Sequence, residues 1–138
     1  MALTSKVLYR GNLRTEATHL ASQTTILTDA PKDNHGNGQA FSPTDLLATS
    51  LASCMITLMG IAERRENMVS IEGTEAEVTK IMYADPRRVG EIHITLTFPS
   101  KVYTHREKKI YENAALTCPV AKSIHPDIKQ VIKFMWPD

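Results

Sequence analysis

The chain has 138 residues, with 16 Lys and Arg against 15 Asp and Glu and a formal charge of +1. This length predicts one domain over residues 1–138, large enough to bury a core. Charges of both signs are interspersed without a basic stripe, which excludes nucleic acid as a partner, and residues 1–6 lack the apolar run of a leader, which points to a cytoplasmic protein.

Residues 5–28 read as strands. Lys6-Val7-Leu8-Tyr9-Arg10 is followed by Gly11-Asn12, a two-residue hairpin signal. Residues 13–18 alternate loosely, and Thr24-Thr25-Ile26-Leu27-Thr28 is β-branched and compact. Residues 29–41 make a polar loop rich in Gly, Asn and Pro, of a length that is usually functional or mobile.

The loop leads into a predicted helix over residues 42–67. Ser42 suits the N-cap, Pro43 the first helical position, and Asp45 closes a capping box. Residues 46–62 carry no charge, and Glu63-Arg64-Arg65-Glu66 then takes over. About 25 residues at about 1.5 Å each span about 37 Å. Apolar residues lie on every side, so the helix is expected to be buried all round for most of its length, with Cys54 near its middle. The uncharged run of about 17 residues, diluted by Thr49, Ser50, Ser53, Thr57 and Gly60, falls short of the roughly 20 that span a bilayer, so no membrane is expected. So apolar a helix needs more cover than one small sheet and one short helix provide, which predicts a homodimer.

Residues 70–83 and 89–98 read as a long antiparallel pair turned by Asp85-Pro86-Arg87-Arg88, with one face on the central helix. Residues 105–116 read as a second helix, capped by Thr104 with Glu107 completing the box. Pro119 then starts a short helical turn with Cys118 as its N-cap, and residues 130–136 close the chain as a strand. The fold class is α+β, with antiparallel sheets around a long buried central helix.

The two cysteines, 64 positions apart, form no zinc pattern, and the five histidines do not cluster with them. No metal or other cofactor is expected. By itself Cys54 reads as a small buried hydrophobe. Cys118 sits at the positive end of a helix beside unpaired N–H groups, and both favour a thiolate.

Ser42-Pro43-Thr44-Asp45-Leu46-Leu47-Ala48-Thr49-Ser50-Leu51-Ala52-Ser53-Cys54 resembles the cysteine-bearing helix of the OsmC/Ohr family. Glu112-Asn113-Ala114-Ala115-Leu116-Thr117-Cys118-Pro119-Val120 resembles the second cysteine segment of that family, A-x-x-x-C-P-(V/Y). The order of elements agrees, and the match covers nearly the whole chain. The resemblance implies an OsmC-like α+β fold forming an intertwined homodimer, with two equivalent sites at the subunit interface. It also implies a cysteine-based hydroperoxide reductase acting in oxidative-stress defence, with hydrogen peroxide a poorer substrate than organic hydroperoxides. In that scheme Cys54 is the peroxidatic thiolate that becomes a sulfenic acid, Cys118 resolves it to a disulfide, and an external dithiol of the lipoyl type restores both thiols. Metal and flavin are not required. The alternative is a non-catalytic or redox-sensing protein of the same fold that binds an apolar ligand at the dimer interface.

Family peroxidases lower the pKa of the first cysteine with an arginine from the loop before the helix, held by a glutamate in the helix's first turn. Here that first-turn position is Thr44, with Asp45 beside it, and the loop contains Lys32 and His35 but no arginine. An unassisted thiol is only a few per cent ionised at neutral pH, so Arg10, Arg14 or a residue of a partner subunit are the remaining candidates for activating Cys54. His35 reads as a loop imidazole over the cysteines or as an exposed turn residue. Asp45 reads as an orienting carboxylate or simply as part of the capping box. Phe41, Leu51, Met55 and Leu58 read as the lining of an apolar peroxide pocket or as ordinary core.

Overall fold

The computed structural model describes residues 1–138, which divide into two compact units, residues 1–47 and 48–138. The first unit is a three-stranded antiparallel sheet in the order β1 (Ser5–Gly11), β2 (Arg14–His19), β3 (Thr25–Asp29). Its first hairpin turns at Asn12-Leu13, one residue beyond the predicted Gly11-Asn12, with Gly11 paired to Arg14. Both turn residues are left-handed, at φ 54° and 63°, as a two-residue turn matched to the strand twist requires. Asn adopts that backbone readily and Leu seldom does, which is why the sequence alone sets the turn one residue early. Apolar side chains stand open on both faces of this sheet: Val7 and Tyr9 on one are 66% and 62% exposed, and Leu8 on the other is 55% exposed.

After β3 the chain closes on itself around a 3-10 turn, Lys32–Asn34. The N–H groups of Asn34 and Gly36 donate to the Pro31 carbonyl, and that of Gly38 donates to Ala30. Gly36 backs onto Ala30 so closely that a Cβ there would overlap the Ala30 carbonyl. Helix α1 (Pro43–Glu66) then starts as predicted. Asp45 N–H donates to Ser42 Oγ (3.0 Å) and Ser42 N–H donates to Asp45 Oδ2 (2.9 Å), the two bonds of a capping box.

In the second unit α1 is not buried all round. Ala48, Leu51, Ala52, Met55, Met59 and Ala62 form one buried stripe at helical spacing, while Ser53, Thr57 and Ile61 on another side are exposed. Composition could not reveal this, because the open side is uncharged too. By length and composition α1 would pass for a membrane span, a test that core helices of soluble proteins also pass.

The second sheet runs β4 (Glu75–Tyr83), β5 (Arg88–Thr97), β6 (Lys129–Met135), with β4 and β5 antiparallel as predicted. The expectation of purely antiparallel sheets is corrected here, because β6 lies parallel to β5. The connection between them holds α2 (His105–Leu116) and α3 (Pro119–Ser123), long enough for the crossover that a parallel pair demands. Val89, Ile92, Ile94 and Leu96 of β5 are buried together with the α1 stripe, Tyr111 and Ala115 of α2, and Cys118.

β4 begins at Glu75 rather than at residue 70. The backbone before it is bonded to side chains, not to a strand. Val69 N–H donates to Glu107 Oε2 (2.8 Å), Ile71 N–H donates to Glu63 Oε1 (2.9 Å), and the hydroxyls of Tyr111 and Tyr103 donate to the carbonyls of Val69 and Ser70 (2.6 Å each). Glu107 also closes the α2 capping box with Thr104. Hydrogen bonds from the Thr104 and Val69 N–H groups hold the Glu107 carboxyl below the usual carboxylate range. An acid whose pKa is depressed by folding stabilises the fold above the ordinary carboxylate pKa, and the contribution is lost as pH falls through the depressed value. Glu107→Gln is therefore expected to flatten the acid limb of the stability curve. Urea midpoints at pH 7 and pH 3 measure this, and the wild type should lose more between the two than the variant.

Candidate active site

Cys54 lies in the middle of α1, where every backbone N–H is engaged within the helix, so the side chain alone is presented. It is half-buried. On the same side, one turn away, the Thr57 hydroxyl donates back to the Ser53 carbonyl (2.8 Å), which leaves the thiol beside a spent polar group.

Cys118 is built differently. α2 ends at Leu116, Pro119 opens α3, and Cys118 between them takes an extended backbone (φ −68°, ψ 153°) as N-cap. Its Sγ accepts from Ala121 N–H (3.4 Å), and the Val120 N–H also favours its thiolate. The residue is fully buried. The two cysteines are neighbours, since the Cys54 thiol is among the groups that raise the Cys118 thiol.

The expectation that its cap position favours a Cys118 thiolate is overturned. Burial pushes the Cys118 thiol up; the N–H groups of Ala121 and Val120 pull against it without prevailing, and the neighbouring Cys54 thiol raises it further. At neutral pH Cys118 is a protonated thiol held under cover. The half-buried partner is Cys54.

Arg10, Arg14, His35, Phe41 and Asp45 belong to the first unit. Arg14 is fixed: Nε and Nη2 grip Asp29 Oδ1 and Oδ2 at 2.8 and 2.9 Å, and Nη2 also donates to Gln39 Oε1 (3.1 Å). The Asp29 side chain is 1% exposed and that of Arg14 33%. The hydrogen bonds from Arg14 outweigh the desolvation of Asp29, and Gln39 N–H adds to them, so the carboxyl stays below the usual range. Asp29 and Gln39 were missed in the sequence, where both read as loop residues. The signal was the strand pairing, which sets Arg14 opposite Asp29. Arg10 is exposed. His35 is exposed, with φ 68°, and terminates the 3-10 turn, in line with the turn-residue reading. Asp45 serves the capping box, and Phe41 is exposed while its carbonyl accepts from Asp29 N–H. Leu51 and Met55 are core residues of the second unit.

Two neighbouring cysteines, one half-buried and one buried, on a helix and a Cys-Pro turn can be compared with known proteins. The OsmC-like protein family matches residues 36–133, a span that includes both cysteines. The chain belongs to the OsmC-like family. A crystal structure of a proposed osmotic stress induced and detoxification response protein from Psychrobacter arcticus 273-4 is 60% identical, with 97% of this chain and 96% of that one covered and a TM-score of 0.92. The fold is shared with the OsmC-like protein of Mycoplasma pneumoniae (16% identity, 100% and 99% covered, TM-score 0.80). It is shared too with the organic hydroperoxide resistance protein OsmC of Legionella pneumophila (14% identity, 98% of each chain covered, TM-score 0.74). No curated protein sequence matches the chain. Within this OsmC-like chain no group of three or more His, Cys, Asp and Glu side chains is placed to hold a metal ion.

Proposed function

We propose that this chain is a two-cysteine hydroperoxide reductase that acts on organic hydroperoxides in oxidative-stress defence. The observation that carries the reading is the half-exposed Cys54 thiol set against the buried Cys118 thiol. The Cys54 thiolate attacks the O–O bond, the alcohol leaves, and Cys54 becomes a sulfenic acid. Cys118 then attacks that sulfur, water leaves, and a disulfide forms. An external dithiol, of lipoyl type, returns both cysteines to thiols by exchange. The uncharged surroundings of Cys54 favour the alkyl part of an organic peroxide. Titration of the fully reduced protein with cumene hydroperoxide tests the scheme: each equivalent should consume two thiols per chain, and loss of one thiol or none would contradict it.

The working form is a homodimer in this reading. A three-stranded sheet with Val7, Tyr9 and Leu8 open on opposite faces, and an α1 side that carries no charge from Ser53 to Ile61, are surfaces that a second copy would cover. Sedimentation at micromolar concentration should give twice the chain mass.

A further inference from the structure

Helix α3 has five residues, and none of them is buried. A helix this short cannot sustain itself, so its few attachments decide whether it exists. There are three. The Cys118 sulfur accepts from Ala121 N–H at 3.4 Å, with the Val120 N–H beside it. Pro119 presets the first helical φ. Gln130 of β6 donates from Nε2 to the Ala121 carbonyl at 3.2 Å. The one that meets the unpaired amides at the start of α3 is the sulfur of Cys118, and that same sulfur has the Cys54 thiol as its neighbour.

We infer that closing a disulfide between Cys54 and Cys118 removes the cap of α3, so that residues 119–123 are helical in the dithiol and open in the disulfide. This rests on the pairing of the two cysteines proposed above. The chemistry is balanced: two thiols lose two electrons and two protons to the oxidant, and one S–S bond forms. In forming it, Cys118 Sγ must come within about 2.05 Å of Cys54 Sγ, well inside a sulfur hydrogen-bond contact. It therefore withdraws from the amides of Val120 and Ala121. With no buried face to hold it, the turn opens around Lys122, which is exposed already. The redox state of the pair is thus displayed on the surface as order or disorder of one segment. A reductant that prefers the open segment would distinguish spent from ready enzyme.

The test uses the full chain and diamide, which makes the disulfide without peroxide chemistry. Hydrogen exchange followed by mass spectrometry is compared for the reduced and oxidised protein, with a free-thiol count on each sample. In the disulfide form the amides of Val120, Ala121 and Lys122 should exchange roughly two- to thirtyfold faster, the range that loss of a side-chain cap produces, and trypsin should cut after Lys122. Cys118→Ser keeps a capping oxygen and should stay protected with or without diamide. Cys118→Ala lacks the cap and should exchange fast before any oxidant is added. A fully formed disulfide with unchanged exchange, or a Cys118→Ala variant as protected as the wild type, would overturn the inference and leave the peroxidase reading standing. Two free thiols after diamide would sink the pairing, and both readings with it.

Discussion

Cys54→Ser is expected to lower peroxide reduction at least about a thousandfold, because an alcohol at that position cannot supply the thiolate that attacks the O–O bond. Cys118→Ser is expected to behave differently. Its first turnover should stay within about threefold of wild type, since Cys118 is buried and protonated and takes no part in the attack. What it should lose is resolution: a sulfenic acid should persist on Cys54 and be trapped by dimedone, detected by mass. In the wild type the raised thiol pKa of Cys118 sets the pH dependence of that second step. Less of the thiol is ionised at pH 7 than in an ordinary cysteine, and the ionised fraction grows up to about tenfold per pH unit below its pKa. Disulfide closure, followed by stopped flow after one equivalent of peroxide, should therefore accelerate as pH rises. Equal loss of the first turnover in both variants would overturn this division of labour.

The largest effect on stability is expected from Tyr111→Ala. Tyr111 is fully buried. Its ring lies 6.2 Å from Tyr103 at 81° and 5.9 Å from Trp136, which itself stacks on Phe98 at 3.7 Å. Its hydroxyl donates to the Val69 carbonyl, and burial together with Glu63 pushes its pKa upward, so the hydroxyl remains a donor across the working range of pH. Truncating a buried aromatic side chain costs about 3–5 kcal/mol. In a chain of this size that is roughly 10–20 °C in Tm. Tyr111→Phe keeps the ring and should cost only about 1 kcal/mol, the net worth of one hydrogen bond. Thermal unfolding at fixed protein concentration measures both. Trp136, the only tryptophan, sits in the affected cluster and reports the transition by fluorescence. A Tyr111→Ala loss no larger than that of Tyr111→Phe would show that the aromatic cluster is not what holds α2 in place.

Much of this fold was legible in the sequence because local chemistry agreed with it. The capping boxes Ser42/Asp45 and Thr104/Glu107, Pro119 after Cys118, and the alternation of Ile92, Ile94 and Leu96 each name an element without reference to the rest of the chain. What failed was long-range. No local pattern says that β6 pairs parallel to β5, that Leu13 takes a left-handed turn, or that carboxylates and tyrosine hydroxyls, rather than a strand, satisfy residues 69–71. The cysteine pair was legible through its two motifs, but the relative burial of its members was not. Cap position alone made Cys118 look acidic, and the desolvation that reverses this depends on residues far away in sequence. Asp29 was passed over for a similar reason: a carboxylate at a strand end looks like the start of a loop until the opposite strand delivers Arg14.

The most direct test of the account is steady-state turnover of the reduced wild-type protein with dihydrolipoamide, comparing cumene hydroperoxide with hydrogen peroxide. The account predicts sustained turnover that favours the organic peroxide and disappears in Cys54→Ser. Absence of turnover with several dithiols, in protein whose two thiols are counted as free at the start, would contradict it.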